Sequence, residues 1–107
     1  MYSHPQQNAS HDVKRLRQEA GKWLKQLRES RGLSQRDLAD AVGVEYYTFV
    51  SQIEAGRGRI PPDRYEVWAK SLGVETATFV RTLMRWYDPV TFSLLFASEL
   101  QAEGVQA

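Results

Sequence analysis

The segment Tyr46–Glu54, YYTFVSQIE, gathers side chains suited to recognition rather than bond making. Thr48, Ser51 and Gln52 supply two hydroxyls and an amide, groups that donate and accept hydrogen bonds at once. Reactive partners are missing from the sequence around them. The chain has no cysteine, and its only histidines are His4 and His11. That excludes a thiol nucleophile, a disulfide and a thiolate metal site. No glycine-rich phosphate loop, no HExxH pair and no nucleophile–base pair at useful spacing occurs. An enzyme is therefore not expected, and neither is a cofactor or a bound metal. His4 and His11 read as ordinary residues of a polar tail.

Composition sets the outer bounds. A chain of 107 residues favours one domain with a modest core. The net charge of +1 points to no particular partner, but its distribution is uneven. Eight basic residues lie between Lys14 and Arg36 against two acids, Glu19 and Glu29, and a second cluster comprises Arg57, Arg59 and Arg64. Such runs are either solvated helix faces or a footprint for an anionic partner. The opening MYSHPQQNASHDVK lacks the hydrophobic run of a secretory signal. No apolar stretch approaches the roughly 20 residues of a membrane span. The expected setting is cytoplasmic and nucleoid-associated, with no membrane contact.

The elements that would carry YYTFVSQIE are short helices. Residues 1–11 are polar and read as a disordered tail. Val13, Leu16, Ala20, Leu24 and Leu27 recur at three- and four-residue steps, which predicts an amphipathic helix from Asp12 to about Ser30. Gly21 interrupts that pattern and could mark a break. Ser34, with Asp37 three residues on, predicts the cap of a second helix carrying Leu38, Ala39 and Val42 inward and ending at Gly43. A third helix is expected from Glu45 or Tyr46 to Glu54. Pro61-Pro62-Asp63 opens a fourth, with Trp68 and Leu72 inside. A fifth carries Phe79, Leu83 and Trp86. Asp88-Pro89 starts a sixth, over a stretch dense enough in β-branched and aromatic residues to permit a strand. Residues 88–96 form an apolar segment, either a lid on the core or a dimer contact, and 97–107 are expected to fray. The fold class is all-α: a compact bundle of five to six short helices, with the domain proper at 12–87.

Leu33 to Glu54 holds two short helices joined at a glycine, with small Ala39 where the backbones would approach. These are the parts of a helix-turn-helix. Three stretches, LKQLRESRGLSQRDLADAVGV, VSQIEAGRGRIP and WAKSLGV, resemble the lambda-repressor/Cro-like helix-turn-helix proteins, the XRE family. The resemblance runs from about Gly21 to Phe79. It implies a bundle of about five helices whose second motif helix enters the DNA major groove. One departure matters: Gly43 to Ile53 counts eleven residues, one more than the family's usual spacing. The turn or the first helical turn must absorb the extra residue.

At about 100° per residue, Val50, Ile53, Tyr46 and Phe49 fall toward the core side of the third helix. Thr48, Ser51 and Gln52 point away, with Tyr47 on a flank. The resemblance likewise implies base contacts from Tyr47, Thr48 and Gln52, with Ser51 adjacent. It implies backbone contact from Gln35, and Arg36, Arg57 and Arg59 are placed to reach phosphates. It also implies a partly buried ion pair between Arg28 and Glu54. The expected partner is double-stranded DNA, bound by a homodimer acting as a repressor on an inverted-repeat operator. The alternative is a protein-interaction adaptor or antitoxin on the same fold, with 86–96 as a possible protein contact.

Overall fold

A computed structural model describes residues 5–96 of the chain, with side chains from residue 12 onward. The residues 1–4 and 97–107 assigned above to tails lie outside that range. Six helices follow in order: α1 (Pro5–Ser30), α2 (Gln35–Val42), α3 (Thr48–Glu54), α4 (Tyr65–Ser71), α5 (Thr76–Tyr87) and α6 (Pro89–Leu95). A 3-10 turn, Pro62–Arg64, leads into α4. The segment that could have been a strand is helix α6.

Two differences from expectation concern α1. It begins at Pro5, so residues 5–11 are helical where a disordered tail was expected. Proline is well tolerated in a first helical turn, because its missing N–H has no intrahelical acceptor there. The helix also passes through Gly21 unbroken. The reason is steric: a Cβ at Gly21 would collide with the main-chain carbonyl of Glu54 and lie 2.9 Å from that of Ile53. Glycine here lets α1 and α3 approach backbone to backbone.

Between these helices lies one core. Leu24 of α1, Leu38 of α2, Val50 of α3, Trp68 of α4 and Phe79 and Leu83 of α5 are fully buried. Helix α1 packs on α3 and α5, α2 on α3 and α4, and α6 on α5. Trp23 joins α1 to α5, its ring 5.5 Å from Phe79 and 5.6 Å from Trp86. Only one side of α6 is used: Phe92 is buried, while Val90, Leu94 and Leu95 are 72%, 79% and 63% exposed. The segment 88–96 therefore covers part of α5 and leaves an apolar face in water.

Candidate nucleic-acid interface

Helix α2 is fixed by local chemistry at both ends. Ser34 Oγ accepts the Asp37 N–H at 3.0 Å, and the Asp37 carboxylate accepts the Ser34 N–H at 2.9 Å. Hydrogen bonding to the carboxylate from Ser34, its backbone N–H first and its hydroxyl second, holds the Asp37 carboxyl below its ordinary value. At the other end Gly43 takes the left-handed conformation, φ 77°, and the Val44 N–H reaches back to the Ala39 carbonyl at 3.0 Å. The Arg64 guanidinium donates to the last carbonyl of the helix, Val42 O. Cationic donors are favourable there because the C-terminal carbonyls carry partial negative charge. Arg64 is thus a structural clamp within what the sequence showed only as a basic cluster.

The turn absorbs the extra residue. Residues 43–47 are non-helical and α3 begins at Thr48, with Tyr47 as its N-cap residue. This corrects two expectations. The third helix does not start at Glu45 or Tyr46, and Tyr46 and Phe49 are not core: they are 66% and 41% exposed. The helical phase that pointed Tyr46 inward does not apply to a residue in the turn. Phe49, one residue into α3, sits at the edge of the buried stripe and falls outside it.

Within α3, Val50, Ile53 and Glu54 are buried, Thr48 and Gln52 are exposed on the opposite side, and Ser51 is half-buried. Tyr47 is exposed, with the Arg36 guanidinium 4.8 Å from its ring centroid. Such cation–π contact orders both groups at the surface. Three of the four expected readers thus lie on α3 and the fourth, Tyr47, at its N-cap, with Arg36 against it.

The inner side of α3 is tied down by charge. Arg28 of α1 meets Glu54 in a two-pronged pair, Nε to Oε2 at 2.7 Å and Nη2 to Oε1 at 3.1 Å. Both side chains are nearly out of water. The Arg28 Nη1 donates to Leu33 O at 2.7 Å, so one guanidinium holds α3 and the α1–α2 connection together. Hydrogen bonding to Glu54 raises the Arg28 pKa despite the opposing effect of burial. Gln35 completes the group, its Nε2 donating to Glu54 Oε1 at 3.0 Å. An amide nitrogen carries two hydrogens. One is committed to Glu54, which leaves the other to point elsewhere.

The two loop arginines part company. Arg57 follows α3, its N–H bonded to Gln52 O at 2.9 Å, and its exposed side chain has no hydrogen bond or ion pair among the described residues. Arg59, expected at a phosphate, is turned to the α5–α6 junction. Its guanidinium donates to the Tyr65 hydroxyl at 2.5 Å, pairs with Asp88 at 3.4 Å and lies 4.4 Å from the Tyr87 ring centroid. The Tyr87 hydroxyl in turn accepts the Ile60 N–H at 3.2 Å. Burial pushes the Tyr87 hydroxyl up to about 12. These partners are distant in sequence, so Arg59 read from spacing alone looked like a second loop cation.

Among the described residues no helix is long and apolar enough to cross a membrane. No curated protein matches the chain. A helix-turn-helix family model matches residues 24–79, more than half of the 107 residues. That span runs from the last turns of α1 to the start of α5 and contains α2, α3 and α4 whole. The chain belongs to the helix-turn-helix family of XRE, lambda-repressor-like DNA-binding regulators.

Proposed function

We propose that this protein is a sequence-specific repressor that binds an inverted-repeat operator as a dimer, acting at the nucleoid. The observation that carries the reading is the uncovered outer face of α3. Thr48 and Gln52 are exposed there while the inner side of the same helix is locked to α1 through Glu54. Base reading needs such a rigid backing, because hydrogen bonds to base edges tolerate little misplacement. Gln52 can pair with adenine through two hydrogen bonds, and Thr48 can meet a thymine methyl. Tyr47 and Ser51 border them. Arg36, Arg57 and the free amide hydrogen of Gln35 contact phosphates, which fix register rather than sequence. Arg59 has no part in this set, since its guanidinium is occupied at the α5–α6 junction.

The dimer rests on α6. Val90, Leu94 and Leu95 are exposed, and an apolar cleft of about 370 Å3 runs between residues 12–17 of α1 and the α5–α6 junction, lined by Val13, Leu16, Trp86 and Val90 among others. Two domains paired through this face would present two α3 helices to one duplex, with half-sites about one turn (~34 Å) apart. The same face supports a second reading, an adaptor or antitoxin that engages a protein there.

Selection from a random pool of DNA duplexes separates the two. A repressor enriches an inverted repeat, and its affinity falls steeply with salt as phosphate contacts release counterions. Enrichment of no sequence, with no salt-sensitive complex, would rule out the DNA reading and leave the adaptor.

A further inference from the structure

Tyr46 and Phe49 stand in water beside the reading residues, and neither belongs to the apolar core. Apolar rings held exposed next to a recognition face mark a contact surface. Three observations choose what they touch. Phe49 precedes Gln52 by three positions on α3, so the two side chains are surface neighbours. Tyr46 and Tyr47 line one cleft, so the Tyr46 ring adjoins the start of the reading face. The shallow cleft beside Tyr46, about 280 Å3, is lined by Arg36, Ala39, Asp40, Glu45, Tyr46 and Tyr47. Its two carboxylates outnumber its one guanidinium, so the cleft itself carries no net positive charge. What this corner offers is an aromatic surface.

Among base edges in a major groove, the apolar group available to such a surface is the C5-methyl of thymine. We infer that Phe49 and Tyr46 are specificity determinants that select thymine by its methyl group, at base pairs adjoining the one read by Gln52. The longer turn has a purpose in this arrangement. By starting α3 at Thr48 it takes Tyr46 out of the helical phase and frees its ring. The inference rests on the DNA-reading function proposed above and adds to it a class of base and the residues that choose it.

The test uses the full chain and a duplex recovered by random-pool selection. Thymidines of that duplex are replaced singly by deoxyuridine, which deletes the methyl and keeps the pairing edge. The wild-type protein is expected to bind about fourfold more weakly for each contacted methyl removed. Phe49→Ala and Tyr46→Ala alter exposed positions, and their thermal unfolding should match wild type. Each variant should bind the parent duplex more weakly and ignore deoxyuridine at its own position, while other positions respond as before. Deoxyuridine duplexes that bind the wild type as tightly as the parent would overturn the inference. So would a methyl penalty that persists in both variants. A wild-type protein that selects no sequence removes the DNA reading itself, and this inference with it.

Discussion

The two ends of the α3 region are built on opposite plans. From Val50 onward every inward group is fixed: Glu54 is bonded to Arg28 and Gln35, Ala55 and Gly56 close the helix, and Ile60 is pinned by the Tyr87 hydroxyl. From Gly43 to Phe49 the chain has no side-chain cap on α3 and leaves Tyr46, Tyr47 and Phe49 exposed. α2 next door has a capping box at one end and a left-handed glycine at the other. The difference shows that a short helix can be held rigidly from one end. The leading edge, where a duplex would be met, is then free to carry residues chosen for contact rather than stability.

Breaking the anchored end should cost most. Glu54→Ala leaves the Arg28 guanidinium buried without its counter-ion, and removing one member of such a pair costs about 3–5 kcal/mol. Urea unfolding should show the loss as a lower midpoint at unchanged slope. A smaller effect comes from alkali. The Tyr87 hydroxyl stays protonated to about pH 12 when folded but ionises near pH 10 when unfolded. The folded state therefore binds the extra proton between those values. Its contribution is complete below pH 10 and is lost as the pH rises toward 12, about 2–3 kcal/mol in all. Tyr87→Phe should lack that decline when stability is followed against pH.

Gly21→Ala should cost about 1–3 kcal/mol, because the added methyl meets the Glu54 carbonyl at the α1–α3 crossing. Alanine's helix preference of about 1 kcal/mol works in the opposite direction, so the sign of the measured change decides whether the crossing or the propensity dominates. The free end should register least. Phe49→Ser should change stability by no more than about 0.5 kcal/mol, as exposed substitutions do. A loss as large as that of Gly21→Ala would mean that Phe49 packs after all, and the contrast between the two ends would fail.

Much of α2, the helix that precedes the turn, could be read from the chain. Ser34 and Asp37 mark the start of α2, Gly43 marks its end, and small Ala39 marks the helix crossing. All are local signals with local causes. The Arg28–Glu54 pair came instead from family resemblance, since nothing in the spacing joins two residues on separate helices. The free end was misread for a physical reason. Periodicity assigns faces only inside a helix, and one extra residue in the turn moved Tyr46 out of phase. Arg59 was misread, and the clamp made by Arg64 went unseen, because their acceptors, Asp88 and the Val42 carbonyl, become neighbours only in the folded chain. The start of α1 at Pro5 was hidden by a polar composition that resembles a tail.

The central claim is that the outer face of α3 reads bases while the arginines around it hold the backbone. Selection from the same random pool with Gln52→Ala and with Arg57→Ala tests it most directly. Gln52→Ala should recover the wild-type consensus relaxed at one base position in each half-site. Arg57→Ala should recover the consensus intact, with weaker binding to every duplex and a salt slope lower by about one. Identical loss of sequence preference in both variants, or an unchanged consensus from Gln52→Ala, would contradict the account.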